Sequence, residues 1–218
     1  MILLFSASFL WRKLDEEILA ILLLLLLFFL RGIFHLDGLS DTFDALAYKG
    51  CGQPEEDRKK RLEIMKDSRA GVSGITALVI NLLLKFLFLK ALVSKKLFNL
   101  IFLPFFLSRV FLLLVIYVSP PAKKEGLGFL MKKSLRLREL LLSSLLSLFI
   151  LITFYFLETF LKVFHIFLIL CINLLSIFYF QRKFIRAFGG LTGDNFGAIV
   201  EISETVTLFC GVLLWARP

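Results

Sequence analysis

The stretch ILAILLLLLLFFLRGIF, residues 18–34, runs directly into HLDGLSDTFD, residues 35–44, and this junction decides the kind of fold the chain adopts. The first part is apolar except for Arg31, and it approaches the ~20 residues that a helix needs to cross a hydrocarbon layer. The second part sets three carboxylates immediately beyond it. The rest of the chain has the same character. Mean hydropathy is +0.88, and 59% of the 218 residues are hydrophobic, against roughly 45–50% in soluble domains. Phe alone supplies 26 residues, too much apolar surface for one small core in water. The bilayer is the expected solvent.

Residues 18–34, 72–89, 97–118, 140–157, 163–180 and 197–216 are each long and apolar enough to be read as spans. In lipid only helices and closed barrels satisfy the backbone, and these runs are too long and too continuous for alternating barrel strands. The expected fold is all-α, a polytopic membrane bundle of about six transmembrane helices with short interfacial helices carrying the acidic motifs. It is expected to form a single domain over residues 1–218. Residues 1–11 lack a basic n-region and a small-residue cleavage site, so they read as an interfacial or partly embedded segment rather than a leader. Cys51, Cys171 and Cys210 show no CxxC spacing and read as unpaired and structural.

Six crossings put the loops 35–71, 119–139 and 181–196 on one side. They hold 7, 6 and 3 Lys or Arg. The opposite side holds only Arg12, Lys13, Lys90, Lys95, Lys96 and Lys162. The positive-inside rule therefore predicts that the first side faces the cytoplasm, in a multi-pass protein of the cell membrane. Topology and anionic headgroups account for the net charge of +9, so no nucleic-acid partner is expected. The basic loop 123–138 reads as a solvated, lipid-facing stretch.

Every cluster of polar chemistry falls on that same side. Asp37, Asp41 and Asp44 are spaced i, i+4 and i+7, so on a helix they share one face and repel. A hard divalent cation with oxygen ligands is the natural counter-charge. His35 beside them suits a capping or substrate hydrogen bond, and Gly38 permits close approach of a substrate or a helix. A second cluster, rich in ions, is EIMKDSR at residues 63–69. Glu63 and Asp67 are again i, i+4, with Lys66 and Arg69 beside them; carboxylates for a metal and cations for phosphate are what phosphoryl transfer needs. The third is GGLTGDNFG, residues 189–197, running into Glu201 and Glu204. A glycine turn before a helix exposes N–H groups able to hold an anion, and ionisable groups at membrane depth are functional candidates. Lys85 and Arg109, in other spans, are candidate counter-charges.

Taken together, HLDGLSDTFD at 35–44, EIMKDSR at 63–69 and GLTGD at 190–194 with Glu201 resemble the cobalamin synthases, also called adenosylcobinamide-GDP ribazoletransferases. The resemblance runs from about residue 20 to the end, with the motifs in family order. It implies a transferase of late cobalamin biosynthesis that requires Mg²⁺. In that reaction α-ribazole, or its 5′-phosphate, displaces GMP from adenosylcobinamide-GDP, giving adenosylcobalamin or its 5′-phosphate. It implies Asp37, Asp41, Asp44 and Asp67 as metal holders, with Asp41, Asp44, Asp67, Lys66 and Arg69 in the catalytic machinery. His35, Glu63, Ser68, Gly193, Asp194 and Glu201 are the expected substrate contacts. Other enzymes of the late pathway are expected partners, besides the two substrates and the bilayer. The acidic motif is also similar to that of CDP-alcohol phosphotransferases, which makes phospholipid synthesis the alternative activity. A cation path through Asp44, Glu201 and Glu204 is the non-enzymatic alternative.

Overall fold

A computed structural model describes residues 10, 13–156 and 160–215. The proposed interfacial segment 1–11, apart from Leu10, lies outside the described residues. The helices are α1 (Glu16–Arg31), α2 (Phe34–Ala47), α3 (Pro54–Ile64), α4 (Val72–Ser94), α5 (Phe98–Val118), α6 (Leu127–Ser134), α7 (Leu137–Phe156), α8 (Phe160–Phe188) and α9 (Gly193–Trp215). The chain is thus an all-helical, multi-pass membrane protein. Four of the described helices, α4, α5, α8 and α9, are long and apolar enough to cross by themselves. The pair α1–α2 adds a fifth, although it bends by 93° between its halves. α7 stands where residues 140–157 were expected to span.

The bend has a local cause. Gly32 has φ +71° and donates its N–H back to the Phe28 carbonyl, ending α1 at a positive-φ position that favours glycine. α1 is the crossing half of the pair. α2 turns away and lies over the first turns of α4 and α9, where Gly74 meets Ser40 and Gly38 meets Asp194. We call this end of the bundle, shared by the C-terminal ends of α5 and α8, the site face.

α9 is the central helix: 61% of its apolar window is buried, against 22% for α4 and for α8. Two apolar cores stack along it. One, far from the site face, gathers Leu23, Leu89, Leu92, Ile101 and Leu208. The other, beneath the site face, gathers Leu39, Val115, Phe184, Phe196 and Ile199. Outward residues such as Phe29, Leu83, Phe167 and Leu175 are exposed in a belt suited to lipid. Helix association in lipid has little hydrophobic drive, so small residues and polar links carry much of the specificity. Gly38 shows this directly: a Cβ there would stand 2.6 Å from the Asp194 carbonyl oxygen. We expect Gly38→Val to pry α2 from α9 and lower the unfolding midpoint of the purified protein by several degrees. A midpoint equal to wild type would contradict that close contact. The three cysteines are free thiols.

Candidate active site

The three aspartates of residues 35–44 lie within one helix, α2, as their spacing predicts. The fold then adds a fourth acid from the far end of the chain. Asp41 is pushed up to about 7, first by its partial burial and then by repulsion from Asp37, Asp194 and Asp44. The first turn of α9 is held against α2 by side-chain bonds. Thr192 Oγ1 accepts from the Asn195 N–H at 3.2 Å, and Asn195 Oδ1 accepts from the Thr192 N–H at 3.0 Å. That reciprocal cap satisfies two donors at the helix start, and Asn195 Nδ2 also donates to Thr42 Oγ1 at 3.0 Å. Thr192 and Asn195 therefore position Asp194, a role the glycine-rich motif did not suggest.

Asp44 has a more specific employment than its spacing implied. Its two oxygens accept from the N–H groups of Gly71 and Gly74, each at 2.7 Å. It caps α4 from another helix, and the bare glycines let the carboxylate come that close. Asp44→Ala should therefore cost about 1–2 kcal/mol of stability, read as a lower unfolding midpoint even without any cation. An unchanged midpoint would leave Asp44 with no capping role.

The second motif is arranged differently from its sequence reading. α3 ends at Ile64, so Glu63 and Asp67 do not share a helical face; Asp67 lies in the exposed turn beyond. There Arg69 donates to Asp67 at 2.8 and 3.0 Å, holding that carboxyl down at about 2. Glu63 pairs with Lys60 at 3.4 Å, and Ser68 is exposed. Lys66 edges a hollow of about 520 Å³ together with Arg58, Lys59, Glu63 and Lys123. Lys123 also borders a second hollow, of about 200 Å³, with Gly193 and Asp194. Burial and the nearby Lys66 charge hold the Lys123 ammonium below its usual range. A cationic basin thus adjoins the carboxylates through Lys123, a residue that sequence reading left in a solvated loop.

His35 lies in the first turn of α2, and burial followed by the Arg109 and Arg31 charges holds its imidazole below the usual range. Its Nδ1 is buried without a hydrogen-bond partner among the described residues.

Glu201 belongs to a different layer. It is fully buried, and so is Glu204 one turn on. Glu201 accepts from Arg31 at 2.6 Å, from Lys85 at 2.5 Å and from Asn81 at 3.0 Å. Glu204 pairs with Arg31 and with Lys85, and Arg109 stands 3.8 Å from it. This ionic layer sits between the two apolar cores and ties α1, α4 and α5 to α9. Lys85 and Arg109 are the counter-charges anticipated from the sequence. Arg31 was missed as one, although a lone arginine closing an apolar run was the available signal.

Among the described residues no three His, Cys, Asp or Glu side chains form a ready-made metal cage. Asp37, Asp41 and Asp194 instead form a loose acidic wall beside cations, where a ligand can be shared between protein and substrate.

Comparison with known proteins identifies the family. A family profile described as cobalamin-5-phosphate synthase matches residues 1–212. An adenosylcobinamide-GDP ribazoletransferase of Thermodesulfovibrio yellowstonii is 43% identical over 206 residues, covering 92% of this chain and 77% of that protein. Proteins of the same name from Thermoanaerobacter sp. and Acinetobacter baumannii are each 33% identical, covering 91% and 97% of this chain and 75% and 80% of their own lengths. No solved structure matches. With nearly its whole length aligned and its acidic helix joined to the α9 motif, the chain belongs to the cobalamin-5-phosphate synthase family.

Proposed function

We propose that this chain performs the transfer named for its relatives, with Mg²⁺, on the cytoplasmic side of the cell membrane. α-Ribazole or its 5′-phosphate would attack the phosphorus of adenosylcobinamide-GDP nearer cobinamide, forming the new phosphodiester and releasing GMP. The observation that carries this reading is the meeting of Asp37, Asp41 and Asp194 beside the basin of Arg58, Lys59, Lys66 and Lys123. Anionic walls and cationic walls side by side suit a diphosphate held partly through a cation.

The donor set fits the metal. Mg²⁺ keeps several waters and takes one or two carboxylates plus phosphate oxygens, so a closed protein cage is not needed. Asp37 and Asp41, one turn apart on α2, would hold it, with Asp194 of α9 on the same acidic wall. When bound, the ion supplies charge neutralisation along the diphosphate. Lys66 and Lys123 bind phosphate oxygens directly. Arg69 stays paired with Asp67 at 2.8 Å, and neither lines the two hollows. Asp44 keeps α2 registered on α4 and so holds the acidic face in place. The excess of Lys and Arg in the site-face loops supports the cytoplasmic side.

The test is GMP release by reconstituted protein given adenosylcobinamide-GDP and α-ribazole, with and without Mg²⁺. Activity confined to CDP-diacylglycerol plus an alcohol would replace this reading with phospholipid synthesis. A pH effect accompanies it. Asp41 ionises at about 7 without a cation, and the cation requires the ionised form. Protons therefore compete as pH falls through 7, and the Mg²⁺ needed for half-maximal rate should rise by up to about tenfold per unit. A Mg²⁺ requirement constant between pH 6 and 8 would remove Asp41 from the ligand set.

A further inference from the structure

A third charged hollow, of about 770 Å³, lies on the outer side of α8 where that helix reaches the site face. Its upper part is lined by Arg182, Lys183 and Arg186 of α8 and by Arg61 of α3, and no carboxylate lines it. Its lower part is lined by Leu175, Phe178 and Tyr179. On α8 these positions form one stripe at three- and four-residue spacing, apolar toward the bilayer and cationic toward the face. Leu175 is 71% and Tyr179 64% exposed, as lipid-facing residues are.

Among the described residues these charges are offset only in part: Asp57, one turn earlier on α3, faces Arg61, which also stacks over the Tyr48 ring at 5.9 Å. Among the described residues Arg182, Lys183 and Arg186 are exposed and have no ion-pair partner. Arg61 donates only to the Ala187 and Tyr48 carbonyls, both at 3.3 Å, and its Nε is buried without a partner. The helix dipole accounts for a cation in the last turn of α8, such as Arg186. It does not account for a matching arginine on the opposite wall, contributed by a separate helix. Basic pockets between helices at a membrane face hold anionic headgroups, and this one opens where the headgroup layer lies.

We propose that the hollow binds an anionic phospholipid, its headgroup phosphate among Arg61, Arg182, Lys183 and Arg186 and its acyl chains along Leu175, Phe178 and Tyr179. The lipid would link α3 to α8. Because α3 also carries Arg58 and Lys59 of the basin, it would steady one wall of the active site; that consequence alone rests on the proposed activity.

The test uses the full chain reconstituted in phosphatidylcholine containing about 20% phosphatidylglycerol, then extracted in mild detergent, with retained lipid measured by mass spectrometry. Wild type should keep about one phosphatidylglycerol per chain, and R182Q/K183Q/R186Q about tenfold less. The control K124Q/K133Q/R138Q removes three exposed charges elsewhere on the site face and should retain lipid like wild type. Equal unfolding midpoints in phosphatidylcholine alone establish that both variants are folded. Equal loss in the control, equal retention in the first variant, or full displacement by millimolar pyrophosphate would overturn the proposal, the last by pointing to a soluble phosphate ligand. Selective lipid retention by a chain that releases no GMP would uphold the lipid site while the transferase reading fails.

Discussion

Asp41→Asn is expected to reduce GMP release by at least about 100-fold at saturating substrates, while insertion and fold are preserved. The asymmetry follows from what surrounds the side chain. Asp41 is partly buried among Asp37, Asp44 and Asp194, and its ionised form is disfavoured until about pH 7. Asparagine keeps the size and removes one of the mutually repelling charges, so the substrate-free protein should unfold at the same temperature or higher. What disappears is the charge a cation needs. Rate and stability measured on one preparation separate this from simple damage: a loss of both would indicate misfolding, and wild-type turnover would sink the metal assignment.

The second large effect is expected away from the chemistry. Lys85→Met should destabilise the chain by about 3–5 kcal/mol, because removing one member of a buried ion pair strands its partner. Lys85 is 2% exposed and bridges Glu201 and Glu204, both fully buried. With methionine in its place, Arg31 and Arg109 alone face two carboxylates in a low-dielectric layer. The double variant Lys85→Met/Glu201→Gln removes the stranded charge and should recover a substantial part of the loss. Thermal unfolding in detergent reads both. A Lys85→Met midpoint within a degree of wild type would mean that the lysine only snorkels and that the layer does not hold α4 to α9.

Hydropathy located the apolar runs that became α1, α4, α5, α8 and α9, because helix length against bilayer thickness is a local property. The i, i+4, i+7 spacing of Asp37, Asp41 and Asp44 was equally readable, since all three fall inside α2. The 93° turn after α1 was not foreseen, although Gly32 with its positive φ is the residue that permits it. The shared face of Glu63 and Asp67 was expected from spacing, but α3 stops at Ile64 and places them apart.

The membrane class, the helical spans and the acidic face of α2 are therefore legible along the chain, since all are set by periodicities within about twenty residues. Which charges meet is settled by the packing of the helices. Asp194 joins Asp41 from the other end of the chain, Arg31 reaches Glu201 and Glu204, and Asp44 serves the backbone of α4. A buried charge must find a partner, but several cations and acids could satisfy that demand. The choice among them is made by helix packing, at contacts such as Gly38 against Asp194, between residues far apart in sequence.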